Sequence, residues 1–155
     1  MRKALTVLLL LSLFLLAKSC TPAAPAKAPA GNALLLGFAQ LGSESAWRIG
    51  NSQSIKDAAK RSGVQLMFDN AEQSQEKQIK AIRSFIAYRV DVIAFSPIVE
   101  DGWDNVLREA KEAGIPVLLV DRLVKTEDSS LFVGFVGSDF YEEGRNAGLY
   151  LQKKA

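Results

Sequence analysis

Histidine is absent from all 155 residues. That removes Ser-His-Asp triads, histidine-containing metal sites and the commonest general base. There is one cysteine, Cys20, so no disulfide forms within the chain. Net charge is only +2, with both signs interspersed and no basic block, which argues against a nucleic-acid partner. The one long apolar run, Ala4 to Ala17, follows Arg2 and Lys3 and leads into small residues. It is too short and wrongly flanked for a spanning helix and reads as a secretory signal over residues 1–20.

Cys20 stands just after this run, with the small Ser19 before it. The position resembles the lipobox of bacterial lipoproteins, in which the cysteine is lipidated and becomes the mature N-terminus. Lys18 and Ala17 depart from that pattern, and the alternative is a plain cleaved signal cut near Ala23 or Ala24. Residues 21–32, rich in Pro and Ala, cannot bury a core and read as a semi-rigid tether. One domain is expected over residues 33–155.

Within it short apolar runs alternate with amphipathic stretches. Strands are expected at Ala33–Phe38, Val64–Phe68, Val90–Phe95, Ile115–Val120 and Leu131–Val136. Helices are expected at Trp47–Ser62, Glu72–Tyr88, Gly102–Ala113 and from Tyr141 to the end, with Gly63 and Gly114 as stops. Ile49, Ile55, Ala58 and Ala59 would form the apolar side of the first helix, and Ile79, Ile82, Phe85 and Ile86 that of the second. Strands apolar throughout, joined by helical crossovers, predict an α/β fold: a doubly wound parallel sheet covered on both faces.

In such a sheet ligands bind at the carboxyl ends of the strands. Those ends carry Glu44, Trp47 and Arg48; Asp69 and Asn70; Ser96 and Pro97; Asp121 and Arg122; and Ser138 and Asp139. Parallel strands bring all of them to one edge. Trp47 and Arg48 read either as a stacking ring with a hydrogen-bonding guanidinium, or as a packed tryptophan beside a solvated arginine. Glu44 reads as an acceptor for two hydroxyls or as a capping or first-turn acid favoured by the helix dipole. Asp121 and Arg122 read as site residues or as a surface ion pair. Asp69 and Asp139 are possible further members, whereas Asp91 precedes its strand and Asp101 and Asp104 open a helix.

Gly37 to Gly42 has the spacing of a phosphate loop, but Ser43 stands where lysine is required and Glu44 would repel phosphate. No Gly-x-Gly-x-x-Gly follows a strand, which weakens nucleotide-dependent redox chemistry. A paired-carboxylate glycosidase built on Glu44 and Asp121 stays open on spacing alone. No cofactor and no metal are expected.

The segments GFAQLGSESAWR (37–48), QIKAIRSF (78–85) and VLLVDR (117–122) resemble the type 1 sugar-binding proteins of bacterial ABC importers, and within that family its galactofuranose-binding member. The resemblance covers nearly all of residues 35–151. It implies a non-enzymatic sugar-binding protein outside the membrane, working with a membrane permease and an ATPase, and anchored through Cys20 if that residue is lipidated. Carried over residue by residue, Glu44, Ser45, Ala46, Trp47, Arg48, Asp121 and Arg122 would touch the sugar; Ala46 stands where the relative has glycine. An extracytoplasmic sugar-sensing partner of a signalling kinase is the alternative. Family members clamp sugar between two lobes. By that measure the chain holds the N-terminal lobe, the second lobe is missing, and weak or no binding by the chain itself is expected.

Overall fold

The computed structural model describes residues 33–154. The expected signal segment, the tether and Cys20 lie outside the described residues. Five strands, β1 (Leu35–Gln40), β2 (Gln65–Asn70), β3 (Val92–Phe95), β4 (Val117–Val120) and β5 (Gly134–Val136), alternate with four helices: α1 (Ala46–Arg61), α2 (Gln75–Ala87), α3 (Asp104–Glu112) and α4 (Phe140–Lys154). A short 3-10 turn, Ser129–Leu131, precedes β5. All strand pairings are parallel, in the order β2-β1-β3-β4-β5. The chain begins in the sheet, winds out to β2, then reverses to β3, β4 and β5. The expected doubly wound parallel sheet is therefore present. Its switch point lies between β1 and β3, where folds of this kind open a crevice.

The strands differ from the apolar runs for one repeated reason. After α1 the amide of Val64 donates to Ala59 O (2.9 Å), after α2 that of Val90 to Phe85 O (3.2 Å), and after α3 that of Ile115 to Ala110 O (2.9 Å). Each is the six-to-one bond of a Schellman ending. Val64, Val90 and Ile115 thus close helices rather than open strands. The left-handed residue each ending requires is Gly63 (φ 66°), Arg89 (φ 54°) and Gly114 (φ 72°). Gly63 and Gly114 stop their helices as the sequence indicates; Arg89 does the same work without glycine's freedom. Pairing also continues past the apolar run: Gln40 lies opposite Asn70 and Ala39 opposite Asp69. Leu131 is buried, but in the 3-10 turn rather than in β5. The second helix starts at Gln75 rather than Glu72, because Glu72 and Gln73 are left-handed and Ser74 caps the helix by accepting from the Lys77 amide.

The core lies between the sheet and the α2–α3 layer. It joins Ala39, Ile93, Phe95, Val117 and Leu119 from the strands to Ile82, Phe85, Val106 and Leu107 from the helices. Trp103 is fully buried against Phe95, with ring centroids 5.0 Å apart, and its indole N–H donates to Val99 O at 2.8 Å. Burying that N–H unpaired would be costly, so the bond fixes the ring. Phe85 lies so close beneath β1 that a Cβ on Gly37 would come 2.5 Å from its ring.

Among the described residues the opposite face is covered in part: α1 packs there against β2, where Phe38 of β1 stacks on Phe68. Leu118 and Val120 stay partly exposed, Val136 is exposed, and α4 buries none of its residues. Because α1 sits at the edge, only part of its expected apolar side is used. Ala59 is buried and Ile55 half-buried, while Ile49 and Ala58 face solvent.

Candidate functional site

The site starts where β1 ends. The loop after it is tight, since a Cβ on Gly42 would meet Glu44 Oε2 at 2.7 Å and Gln73 Cγ at 2.9 Å. Ser45 is extended (φ −144°) and caps α1, its Oγ accepting from the Arg48 amide at 3.1 Å. Ala46, Trp47 and Arg48 form the first turn. Glu44 therefore neither caps α1 nor lies in its first turn, so the capping explanation of this residue is overturned.

Arg48 is not solvated. It is only 4 % exposed, and its guanidinium reaches back across the switch point. Nη2 donates to Asp121 Oδ2 at 2.9 Å; Nη1 donates to Ser96 Oγ at 3.4 Å and to Gln40 Oε1 at 3.5 Å. The Ser96 hydroxyl in turn donates to Asp121 Oδ2 at 3.2 Å. Glu44 Oε1 lies 3.5 Å from Nε, which is buried without a hydrogen-bond partner. One side chain thus ties the ends of β1, β3 and β4 together. Trp47 lies against it on the solvent side: it is 57 % exposed, with the Arg48 guanidinium carbon 4.5 Å from its ring centre. A tryptophan packed on the sheet edge is excluded.

Asp121 follows β4 in a left-handed conformation (φ 69°), held by its own amide donating to Val136 O at 2.8 Å. Its side chain is 15 % exposed, so it is no surface ion pair. Arg122 is 49 % exposed, with Nε 3.8 Å from Asp121 Oδ2 and Nη1 donating to Ile98 O at 3.4 Å. Beyond this pair opens a cavity of about 860 Å³, lined among others by Pro97, Asp121, Arg122, Ser138, Asp139 and Phe140. Glu44, Trp47 and Arg48 are not among the residues that line it.

The sequence-predicted residues therefore fall into two groups. Glu44, Arg48, Asp121 and Arg122 form one charge-linked chain, with Trp47 over it and Ser45 and Ala46 exposed in the same turn. Asp69 and Asp139 do not join it. Asp69 is exposed on the edge strand β2, and Asp139 accepts from the Glu142 amide at 2.9 Å at the start of α4. Gln40, fully buried, belongs to the cluster but was not among the predicted contacts, and neither was Ser96. A glutamine ending an apolar strand was the available signal. Chemically, two carboxylates face two guanidiniums beside a half-exposed indole that carries one of those guanidiniums over its ring. That balance suits a neutral, hydroxyl-rich ring, which needs acceptors, donors and a flat apolar surface together. It does not suit a phosphate.

Comparison with known proteins agrees. The family described as "Periplasmic binding protein domain" matches residues 36–155. The galactofuranose-binding protein YtfQ of Escherichia coli K12 is 45% identical over 121 residues, 78% of this chain and 38% of its own length. A Mycobacterium smegmatis protein solved in complex with β-D-fucofuranose is 58% identical, with a TM-score of 0.76 over 79% of this chain and 40% of that one. The binding-protein component of the arabinose ABC transporter of Shewanella sp. ANA-3, solved with α- and β-L-arabinofuranose, is 53% identical, with a TM-score of 0.75 over 77% of this chain and 40% of that one. The chain thus spans about two fifths of the length of these relatives. It belongs to the periplasmic binding protein domain family.

Proposed function

We propose that this chain is the N-terminal sugar-binding lobe of the substrate-binding component of a carbohydrate ABC importer, taking a furanose of the galactofuranose kind outside the cytoplasm. Trp47 offers the stacking face. Glu44, Arg48, Asp121 and Arg122 take and give hydrogen bonds, and the Ser45–Ala46 turn closes one side. The bound sugar passes to a membrane permease driven by an ATPase, and Cys20 carries a lipid anchor. The observation that carries the reading is Arg48, a buried guanidinium spanning the switch point and clamped on Asp121. Relatives that bind furanoses support the choice of sugar.

The site binds rather than cleaves in this reading: Glu44 and Asp121 are both engaged with the Arg48 guanidinium. A sensing role beside a signalling kinase fits the same fold, but the relatives described above favour import.

The test uses a version carrying the second lobe of the YtfQ relative, titrated calorimetrically with D-galactose, whose solutions contain the furanose form. Methyl galactopyranoside serves as the control. Micromolar or tighter binding is expected with the first sugar only, and R122A should abolish it while the circular-dichroism melt stays in place, since Arg122 is half exposed. Unchanged affinity in R122A refutes the assignment. Micromolar binding by the 155-residue chain alone overturns the need for a second lobe.

A further inference from the structure

Gln40 is the last residue of β1 and has no exposed surface. Its carboxamide uses both ends. Nε2 donates to Asn51 Oδ1 at 2.9 Å and to Ser52 Oγ at 3.0 Å, both on the second turn of α1. Oε1 accepts from the Leu41 amide at 3.1 Å and faces Arg48 Nη1 at 3.5 Å. An amide can turn over, exchanging its donor and acceptor ends. Here it cannot do so without setting an NH2 group against a guanidinium and against a backbone N–H. Asn51 and Ser52 thus hold the oxygen towards Arg48. Ser52 closes the loop from the other side, its hydroxyl donating to Arg48 O at 2.9 Å.

The long arginine side chain has costly rotamer freedom to lose. Asp121 and Ser96 hold it from the far side of the switch point, Glu44 Oε1 lies 3.5 Å from Nε, and Gln40 supplies the acceptor on β1. Without that acceptor Nη1 keeps only its 3.4 Å contact with Ser96 Oγ, and the guanidinium plane is free to tilt about the Nη2–Asp121 bond. We infer that Gln40 is a positioning residue for the proposed sugar site: its oxygen, oriented by Asn51 and Ser52, sets the plane of the Arg48 guanidinium before any ligand arrives. The inference rests on the sugar reading for its functional meaning, but not for its geometry. Preorganised donors act without reorganisation at the moment of binding.

Nitrogen-15 NMR of the labelled chain tests the geometry without sugar. A held guanidinium gives separate, slowly exchanging Nη–H signals for Arg48. Q40M removes donor and acceptor, and should merge those signals while the backbone amides of Phe95 and Ile82 stay put. Q40E keeps an acceptor towards Nη1 and should preserve them. If Q40M fails to fold, N51A, which removes a partner that orients the amide, should broaden the same signals. Arg48 signals unchanged in Q40M or in N51A overturn the inference, as does equal loss in Q40M and Q40E. In the two-lobed version Q40M should weaken sugar binding about tenfold, roughly the effect of one lost hydrogen bond to a charged group, and Q40E less. Merged Arg48 signals with unchanged affinity would instead refute Arg48 as a sugar contact while upholding the role of Gln40.

Discussion

Removing either partner of the Arg48–Asp121 pair should not cost the same. The guanidinium is 4 % exposed and the carboxylate 15 %. Breaking a buried pair costs about 3–5 kcal/mol, most of it for the charge left without a partner. D121N tolerates the left-handed backbone, so strain does not enter. It strands the more deeply buried charge. An asparagine oxygen can still accept from Nη2, which lowers the expected loss to about 2–3 kcal/mol. R48M keeps the aliphatic stem and removes the charge that was expensive to bury. It leaves a carboxylate that still accepts from Ser96 and can reach water, so about 1 kcal/mol is expected. The double variant R48M/D121N should fall near R48M alone, giving a coupling of about 2–3 kcal/mol. Urea unfolding followed by the fluorescence of the buried Trp103 measures all four proteins. A loss for R48M exceeding that for D121N, or strict additivity, would refute the claim that Arg48 is held chiefly by Asp121.

Two further outcomes test the scaffold. G37A drives a methyl group into the Phe85 ring, which a Cβ would approach to 2.5 Å; a loss of about 2 kcal/mol is expected, partly recovered in G37A/F85L, and a neutral G37A would show that β1 and α2 are more loosely packed. Glu109 accepts from Arg83 Nε at 2.8 Å and Nη2 at 2.7 Å across α2 and α3, and this hydrogen-bonded guanidinium holds the Glu109 carboxyl below the usual glutamate range. An acid depressed in the folded state contributes stability above its unfolded value, about 4.3, and loses it as pH falls through the folded one. E109Q should therefore flatten the acid limb of stability below about pH 4.5 while leaving the midpoint at pH 7 nearly in place, since exposed pairs contribute little. An acid slope equal to the parent's would remove this pair as a cause.

The legibility of the chain followed its periodicities. The order of elements and their parallel arrangement came from apolar runs and helical spacing, because those patterns record burial directly. Strand ends did not. Val90 and Ile115 are buried like the strand residues beside them, yet their amides close helices, and only the hydrogen-bond partner distinguishes the two roles. Glu44, Trp47, Arg48, Asp121 and Arg122 could be singled out because parallel strands send all their carboxyl ends to one edge. What stayed hidden was which residue turned inward. Nothing in the dipeptide Trp47-Arg48 says that the charged member is buried and the aromatic one exposed. Gln40 was hidden for the same reason: its polarity looked like the end of a strand, whereas it is a satisfied amide within one.

The costs borne at this edge argue for its purpose. A buried ion pair contributes little net stability once the water taken from both charges is counted. Arg48 also keeps its Nε without a hydrogen-bond partner. Asp121, Glu72 and Gln73 hold left-handed backbone without being glycine, and all three follow the carboxyl ends of β4 or β2; the remaining case, Arg89, merely closes α2. Such conformations persist only where the surroundings over-determine them, and they gather at ligand sites. At the amino edge Asp91 accepts from the Leu35 amide at 2.8 Å and joins two strand starts. A sheet selected for stability alone would put an apolar side chain where Arg48 lies. That Arg48 and Asp121, at the switch point, both bear such costs is what the proposed sugar site requires of an edge that holds a donor ready for its ligand.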